Sequence, residues 1–184
     1  GKVLRSWLPL PPLSTAHPVV HPESGDAYNV LLDLGVMSQD VVLFRRQASA
    51  PDVRQEVARI GVGFDMLYQH CFALTVEYAV IMAHPLYLGL QRAALGSNLG
   101  DALEERPDKR NYTSLHVVPL ASGARPLEFR AAPFSVTHVV NAYSTGGRLV
   151  LDLEGRPIFG RSETLFGAFR MDKVRSEQEG RHYW

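Results

Sequence analysis

The feature of this sequence that most constrains its fold is a series of short runs rich in β-branched and aromatic residues. Each run is bounded by Gly, Pro, Asp, Asn or Ser, which favour turns. Short runs separated by turns are typical of antiparallel strands, and several in series predict a sandwich, a barrel or a propeller. The predicted strands cover residues 28–34, 41–45, 67–74, 78–82, 112–120, 134–143 and 149–153.

Three segments do not fit a simple strand pattern. Residues 53–60 follow a cap-like Ser-Ala-Pro-Asp start and have apolar residues at helical spacing, which favours a helix. Residues 88–105 are rich in Ala and Leu but are interrupted by glycines, which predicts a loop with a helical turn. Residues 101–111 are strongly charged, and we expect a solvated connection there.

Composition limits the class of protein. The chain has 184 residues, which fits one domain, and its 19 basic and 19 acidic residues give no net charge. A balanced charge argues against a protein whose main partner is nucleic acid or an anionic membrane surface. The one cysteine, Cys71, excludes a disulfide within the chain and a cysteine-rich zinc site, and we expect it to be buried.

The apolar runs and the N-terminal residues bear on how the chain is processed and where it is located. No apolar run approaches the length that spans a bilayer, and the start shows neither an initiator Met nor a signal-peptide pattern. We therefore expect a processed chain, a fragment or an incomplete sequence. An intracellular location, in the cytoplasm or a plastid, is favoured.

Histidines are the candidate chemical groups. His17, His70 and His138 lie within or just before apolar, strand-like runs, where an imidazole is costly unless it is paired or bound. A metal held from separate strands would explain them, since imidazole suits iron, zinc and copper. Their spacing matches no compact ligand motif, so three hydrogen-bonded structural histidines are the alternative. The remaining histidines, for which no role is assigned, are His21, His84, His116 and His182.

Three separated blocks, each centred on one of these histidines, carry a resemblance to a known family. Residues 15–26 (TAHPVVHPESGD) are similar to the pattern AHP-x-x-D-P-x-T-G-E. Residues 68–80 (YQHCFALTVEYAV), followed by Pro-Leu, resemble M-H-S/D-F-A-x-T-E-x-Y-x-V. Residues 133–143 (PFSVTHVVNAY), followed by VLDL, resemble P-F-F-x-F-H-H-x-N-A. In this order the blocks resemble the carotenoid cleavage oxygenase family, which includes the retinal pigment epithelial membrane protein.

The resemblance implies a fold and a cofactor. The fold would be mainly β, a seven-bladed β-propeller of antiparallel sheets, and at 40–45 residues per blade this chain would supply about four blades. The resemblance also implies one non-haem Fe(II) bound by four histidines, of which His17, His70 and His138 match three. For residues 53–60 the resemblance implies a strand, and we follow it over the helical spacing.

The sequence departs from the family pattern at several positions. The fourth histidine has no matching motif, and His182 does not resemble it. The second histidine of the family's His-His pair is Val139 here, and the acidic residue after Asn-Ala-aromatic is Ser144. The carboxylates that orient the family's histidines are expected largely in the part that this chain lacks. No catalytic residue is predicted beyond the metal ligands.

The resemblance implies an oxidoreductase domain, a dioxygenase that cleaves a carotenoid or apocarotenoid double bond. The expected partners are an apolar polyene, O₂ and another chain that supplies the missing blades; nucleic acid is excluded and a membrane surface is left open. The alternatives are a non-catalytic structural or interaction subunit and a protein that binds the polyene without cleaving it. We treat residues 1–184 as a single partial propeller domain, with 154–184 as a poorly matched C-terminal segment.

Overall fold

The computed structural model of the chain describes residues 13–34, 39–63, 67–89, 102–121 and 124–158. The predicted helical turn within 88–105 falls mostly outside these residues. His182 and most of the predicted C-terminal segment also lie outside them. Over the described ranges, no helix is long and apolar enough to cross a bilayer.

Thirteen strands make up the regular structure of the described residues. They are β1 (Leu13–Ser14), β2 (Val19–Val20), β3 (Ala27–Leu34), β4 (Gln39–Gln47), β5 (Ala50–Gly63), β6 (Ala73–Leu74), β7 (Tyr78–Ala83), β8 (Leu86–Leu88), β9 (Leu103–Glu105), β10 (Thr113–Pro119), β11 (Leu127–Ala131), β12 (Phe134–Thr145) and β13 (Arg148–Pro157).

These strands pair antiparallel in four sheets. One sheet has the order β1-β3-β4-β5, with β2 also paired to β3, and a second has the order β11-β10-β7-β6. The pairs β12-β13 and β8-β9 form two smaller sheets. Neighbours along the chain pair in most cases, as expected for strands joined by short turns. The prediction of a mainly β chain with antiparallel sheets is confirmed.

The strand that the resemblance implies for residues 53–60 is confirmed. The helical spacing there was misleading, because these residues lie in β5 and pair with the buried strand β4, which favours their β-branched side chains. The strand predicted over residues 67–74 needs correction. Residues 67–74 are mostly irregular and reach strand pairing only at Leu67 and in β6. The side chain of Gln39 hydrogen-bonds the backbone N–H and C=O of Leu67, at 3.0 and 3.4 Å, in place of a neighbouring strand.

The charged segment 101–111 is only partly a solvated connection. It begins buried, with Ala102 and Leu103 almost inaccessible, and Glu105 is buried as well. Leu103 pairs with Leu88 and packs against Leu86, so its apolar contacts outweigh the charge of its neighbours. The turn that follows, from residue 106, is more exposed, as predicted.

Strand β7 connects the two main cores because both of its faces are buried. Its residues Ala79, Ile81 and Ala83 belong to the core that includes the five-stranded sheet. The intervening residues Val80 and Met82 face the second core, which packs against the β12-β13 hairpin. Successive side chains of a strand point to opposite faces, so one strand can join both layers.

The β12-β13 hairpin is fixed to its neighbours by polar contacts at its base. The buried hydroxyl of Thr113 accepts a hydrogen bond from the Phe134 backbone N–H at 3.0 Å and donates one to the Phe134 carbonyl at 2.9 Å. Arg156 forms an ion pair of 2.6 Å with the buried Glu105 of β9. These contacts restrict how the hairpin can sit on the sheet.

Strand β12 is irregular at two places. The pairing register shifts between Val136 and His138 and again between Val139 and Asn141, so Thr137 and Val140 are extra residues on this strand. Bulges of this kind bend a strand and change the direction of its side chains. Opposite the first bulge stands Gly155, where a Cβ atom would overlap the Ser135 carbonyl oxygen.

Replacing Gly155 with Ala is expected to lower the free energy of unfolding by about 1–3 kcal/mol, because the hairpin backbone must separate to admit a methyl group. Urea denaturation monitored by circular dichroism measures the change. The matched control is Gly61→Ala in β5, where the new Cβ would make an ordinary 3.6 Å contact and stability should be unchanged or slightly higher. Equal stability of both variants would contradict the close approach at Gly155.

Cys71 is buried, as predicted, and burial raises the pKa of its thiol to about 11. Only the thiolate is nucleophilic, and very little of it exists at pH 7 when the pKa is raised. We expect iodoacetamide to modify Cys71 much more slowly in the native chain than in urea at the same pH. Mass spectrometry of timed samples measures both rates, and similar rates would show that the thiol is accessible.

Candidate metal centre

Three separate parts of the fold supply the histidines of the candidate site. His17 lies between β1 and β2, His70 lies in the irregular stretch before β6, and His138 lies in β12. The structure brings them together: one ring nitrogen from each lies within 4.8 Å of the others. The imidazoles are separated by 53 or more positions in the sequence, so tertiary packing alone produces the cluster.

The three rings face one another closely. The Nε2 atoms of His17 and His70 are 3.0 Å apart, and their ring centroids are 4.6 Å apart. His138 stands edge-on to both, with centroid distances of 5.2 Å to each. His17 and His70 are partly buried, whereas His138 is half exposed.

His17 is positioned by its own loop. The Thr15 hydroxyl lies 2.5 Å from the side-chain oxygen of Asn29 and also accepts a hydrogen bond from the His17 backbone N–H at 3.4 Å. The Asn29 side-chain N–H donates a hydrogen bond to the Thr15 backbone carbonyl at 2.9 Å. Pro18 follows and restricts the backbone further. The loop is thus tied to the buried strand β3.

His70 is held by the segment on either side of it. The Tyr68 hydroxyl lies 2.9 Å from the His70 Nδ1 atom, and the Tyr68 backbone N–H donates to the Leu86 carbonyl at 2.8 Å. The buried Gln69 side chain donates to the Cys71 carbonyl at 2.5 Å. These contacts take the place of regular strand pairing and point the Nε2 atom of His70 toward the other histidines.

His138 lies between the two bulges of β12. In this register it stands opposite Glu154 of β13, and its Nδ1 atom is 2.9 Å from a Glu154 carboxylate oxygen. Both side chains are largely exposed, at 50% for His138 and 65% for Glu154. This contact leaves the Nε2 atom of His138 available to the cluster.

The electrostatics of the cluster favour the neutral form of the His70 imidazole. The pKa of His70 is lowered by burial and then by the proximity of His17 and His138. A neutral ring keeps a free lone pair, which a metal ion requires. Burial also raises the pKa of the Tyr68 phenol, so that side chain stays protonated near neutral pH.

The donor set fits a divalent transition metal. Three neutral imidazoles suit iron, zinc or copper. The ring nitrogens that His17, His70 and His138 offer all lie within 4.8 Å of one another, so these three residues would hold the ion. A cavity of about 270 Å³ adjoins the cluster; it is lined by His17 and His138 together with Val19, Cys71, Phe72, Leu74, Val139, Val140, Asn141 and Ala142.

The other described histidines lie outside this cluster. His21 accepts backbone hydrogen bonds from the turn at residues 23 and 24 and contacts the Val76 carbonyl, so its role is to fix the turn. His84 is fully buried, and burial lowers its pKa to about 4. His116 lies on β10 opposite Glu128.

Sequence reasoning did not find Tyr68 or Glu154. Tyr68 could have been noticed, because a residue two positions from His70 shares its side of an extended segment. Glu154 could not have been noticed from the sequence. If the two strands are paired residue by residue from the Gly146-Gly147 turn with no bulge, Val139 and not His138 lies opposite Glu154. The bulge at Val140 shifts the pairing by one residue.

Comparison with known proteins identifies the family. The profile of the retinal pigment epithelial membrane protein family matches residues 2–182. The carotenoid isomerooxygenase of Galleria mellonella is 27% identical over 147 residues, covering 76% of this chain and 28% of that protein. The mitochondrial carotenoid-cleaving dioxygenase of Macaca fascicularis is 26% identical over 151 residues, covering 76% of this chain and 27% of that protein.

Solved structures show the same fold. A mutant of Synechocystis apocarotenoid oxygenase matches with a TM-score of 0.59 at 21% identity, covering 76% of this chain and 29% of that chain. An ACO/RPE65 chimera matches with a TM-score of 0.60 at 18% identity, covering 77% and 30%. The chain thus spans less than a third of the length of these relatives, and the predicted partial β-propeller is confirmed. It belongs to the carotenoid cleavage oxygenase family.

Proposed function

We propose that His17, His70 and His138 bind Fe(II) and that the chain supplies the metal-binding part of a dioxygenase. The reaction is the oxidative cleavage of a carotenoid or apocarotenoid double bond. One carbon–carbon double bond and one O₂ are consumed, and two carbonyl groups are formed. The observation that carries the proposal is the convergence of three imidazoles from distant parts of the sequence within 4.8 Å.

The chain's own residues have defined tasks in this proposal. The three imidazoles hold the metal in a neutral donor set, and the lowered pKa of His70 keeps its ring unprotonated at neutral pH. Fe(II) held by these three histidines would supply the activation of O₂. The apolar lining beside the cluster, including Phe72 and Leu74, excludes water from the reacting double bond.

The described residues hold only a part of the site that the proposed reaction needs. A cavity of about 270 Å³ is smaller than the usual range for a ligand pocket, and a long polyene needs more apolar wall than these residues provide. Within the described residues the β12-β13 pair has two strands, whereas a propeller blade has four. We propose that further strands, from the same polypeptide or from another chain, complete the blade and the substrate path.

Metal binding is the first test. Purified without oxygen and supplied with Fe(II), the chain is expected to bind one iron per molecule. His70→Ala and His138→Ala should each lose most of it, because two imidazoles hold a metal much more weakly than three. Elemental analysis after gel filtration measures the stoichiometry. His116→Ala is the matched control, since that imidazole lies outside the cluster and iron content should stay the same.

A wild-type chain that binds no iron under these conditions would contradict the proposal and favour the non-catalytic subunit. Iron that survives both the His70 and the His138 substitution would place the metal elsewhere. Circular dichroism of each variant shows whether a loss of iron reflects a loss of fold.

Product formation is the second test. The protein isolated from its natural source, with any partner chain bound, is expected to convert an apocarotenoid and O₂ into two carbonyl products. Both products should acquire oxygen from isotopically labelled O₂, because each carbonyl oxygen derives from the same molecule. Liquid chromatography with mass spectrometry measures this. A shift in the polyene's absorption spectrum without carbonyl products would instead identify a binding protein.

A further inference from the structure

Two of the three clustered histidines have their outer ring nitrogen occupied by a protein side chain. The His70 Nδ1 atom faces the Tyr68 hydroxyl at 2.9 Å, and the His138 Nδ1 atom faces the Glu154 carboxylate at 2.9 Å. The Nε2 atom of His70 faces His17, and the contact of His138 with Glu154 leaves its Nε2 atom for the cluster. The two contacts come from different elements but have the same geometric effect.

We propose that Tyr68 and Glu154 are positioning residues, which hold His70 and His138 as Nδ1–H tautomers with the Nε2 lone pairs directed at the shared centre. The proposal rests on the metal-binding function proposed above. Residues that hydrogen-bond the far nitrogen of a ligating histidine fix its tautomer and ring orientation, and their loss typically weakens metal binding about 10–100-fold.

The hydrogen-bond directions follow from the requirement for an Nε2 lone pair. His70 then donates its Nδ1–H to the Tyr68 oxygen, and in the metal-free chain its Nε2 accepts from the Nε2–H of His17 at 3.0 Å. His138 donates its Nδ1–H to the Glu154 carboxylate. The acceptor at His70 is therefore a phenol oxygen, and the acceptor at His138 is a carboxylate oxygen.

The two contacts differ in their surroundings. Tyr68 is partly buried and adjoins His70 in the chain, and its backbone is fixed to Leu86, so little entropy is lost in holding the contact. Glu154 is 65% exposed, and water competes for its carboxylate. We therefore expect Tyr68 to contribute more than Glu154 to metal affinity, although a carboxylate is the stronger hydrogen-bond acceptor.

Within the described residues, the ring of His17 makes no side-chain contact of this kind, and its loop is held by Thr15 and Asn29. The cluster thus combines one histidine positioned by its backbone with two positioned through their rings. The substitutions at Tyr68 and Glu154 should act on His70 and His138 separately and leave His17 unaffected.

The first experiment examines the metal-free chain, so that it does not depend on metal binding. Two-dimensional nitrogen–proton NMR of the imidazoles at neutral pH reports the tautomer of each histidine. The wild type is expected to show Nδ1–H at both His70 and His138. Tyr68→Phe should shift only His70 toward a tautomer mixture, and Glu154→Ala should shift only His138.

The second experiment titrates Co²⁺ and follows its visible absorption. Tyr68→Phe is expected to weaken binding about tenfold or more, and Glu154→Ala by a smaller factor. Glu154→Gln, which keeps an oxygen acceptor, should restore part of the affinity lost in the alanine variant. Tyr143→Phe and Glu77→Gln are matched controls at exposed positions away from the cluster, and both should bind as the wild type does.

The outcomes separate the two proposals. An Nε2–H tautomer at His70 in the wild type, with Tyr68 donating instead, would overturn the positioning role whether or not the metal binds. Unchanged tautomers and unchanged Co²⁺ affinity in all variants would also overturn it, while leaving the metal centre intact. A wild type that shows the expected tautomers but binds no Co²⁺ would remove the metal-binding function, and the positioning role toward a metal would fall with it.

Discussion

The arrangement of the described residues depends on the burial of both faces of β7. Its alternate residues enter two cores, one shared with the five-stranded sheet and one shared with the β12-β13 hairpin. The loop of His17 is tied to the first of these layers and His138 belongs to the hairpin, so packing on the two sides of one strand brings them together. Without the burial of both faces of β7, packing would not bring the three imidazoles together.

The hairpin contributes more than a scaffold. Thr113 and Glu105 fix its base, and the two bulges of β12 decide which residue of β13 faces His138. A regular ladder would have given that position to a residue without a carboxylate. Gly155 allows the strands to approach at the first bulge, so a residue with no functional group of its own contributes to the geometry of the candidate centre.

The candidate centre combines three imidazoles with hydrogen-bond partners of two kinds. A phenol contacts His70 in a partly buried place, and a carboxylate contacts His138 at the surface. The relatives are more than three times as long as the matched region, and apolar side chains such as Val140, which is 73% exposed, lie beside the cluster. These features agree with a chain that carries part of a larger propeller, in which the histidine cluster is a candidate metal centre.

The sequence by itself determined the strand content, the family and the three histidines, because turn residues, β-branched runs and motif blocks are local properties. For residues 53–60 the motif resemblance gave the strand that the apolar spacing did not, and pairing with β4 holds it. The sequence did not determine the path of residues 67–74, where the side chain of Gln39 contacts the backbone of Leu67 in place of a neighbouring strand. Only the tertiary structure joined His138 to Glu154 and brought the imidazoles within reach of one ion. Register and convergence depend on contacts between distant segments, and no local pattern in the sequence encodes them.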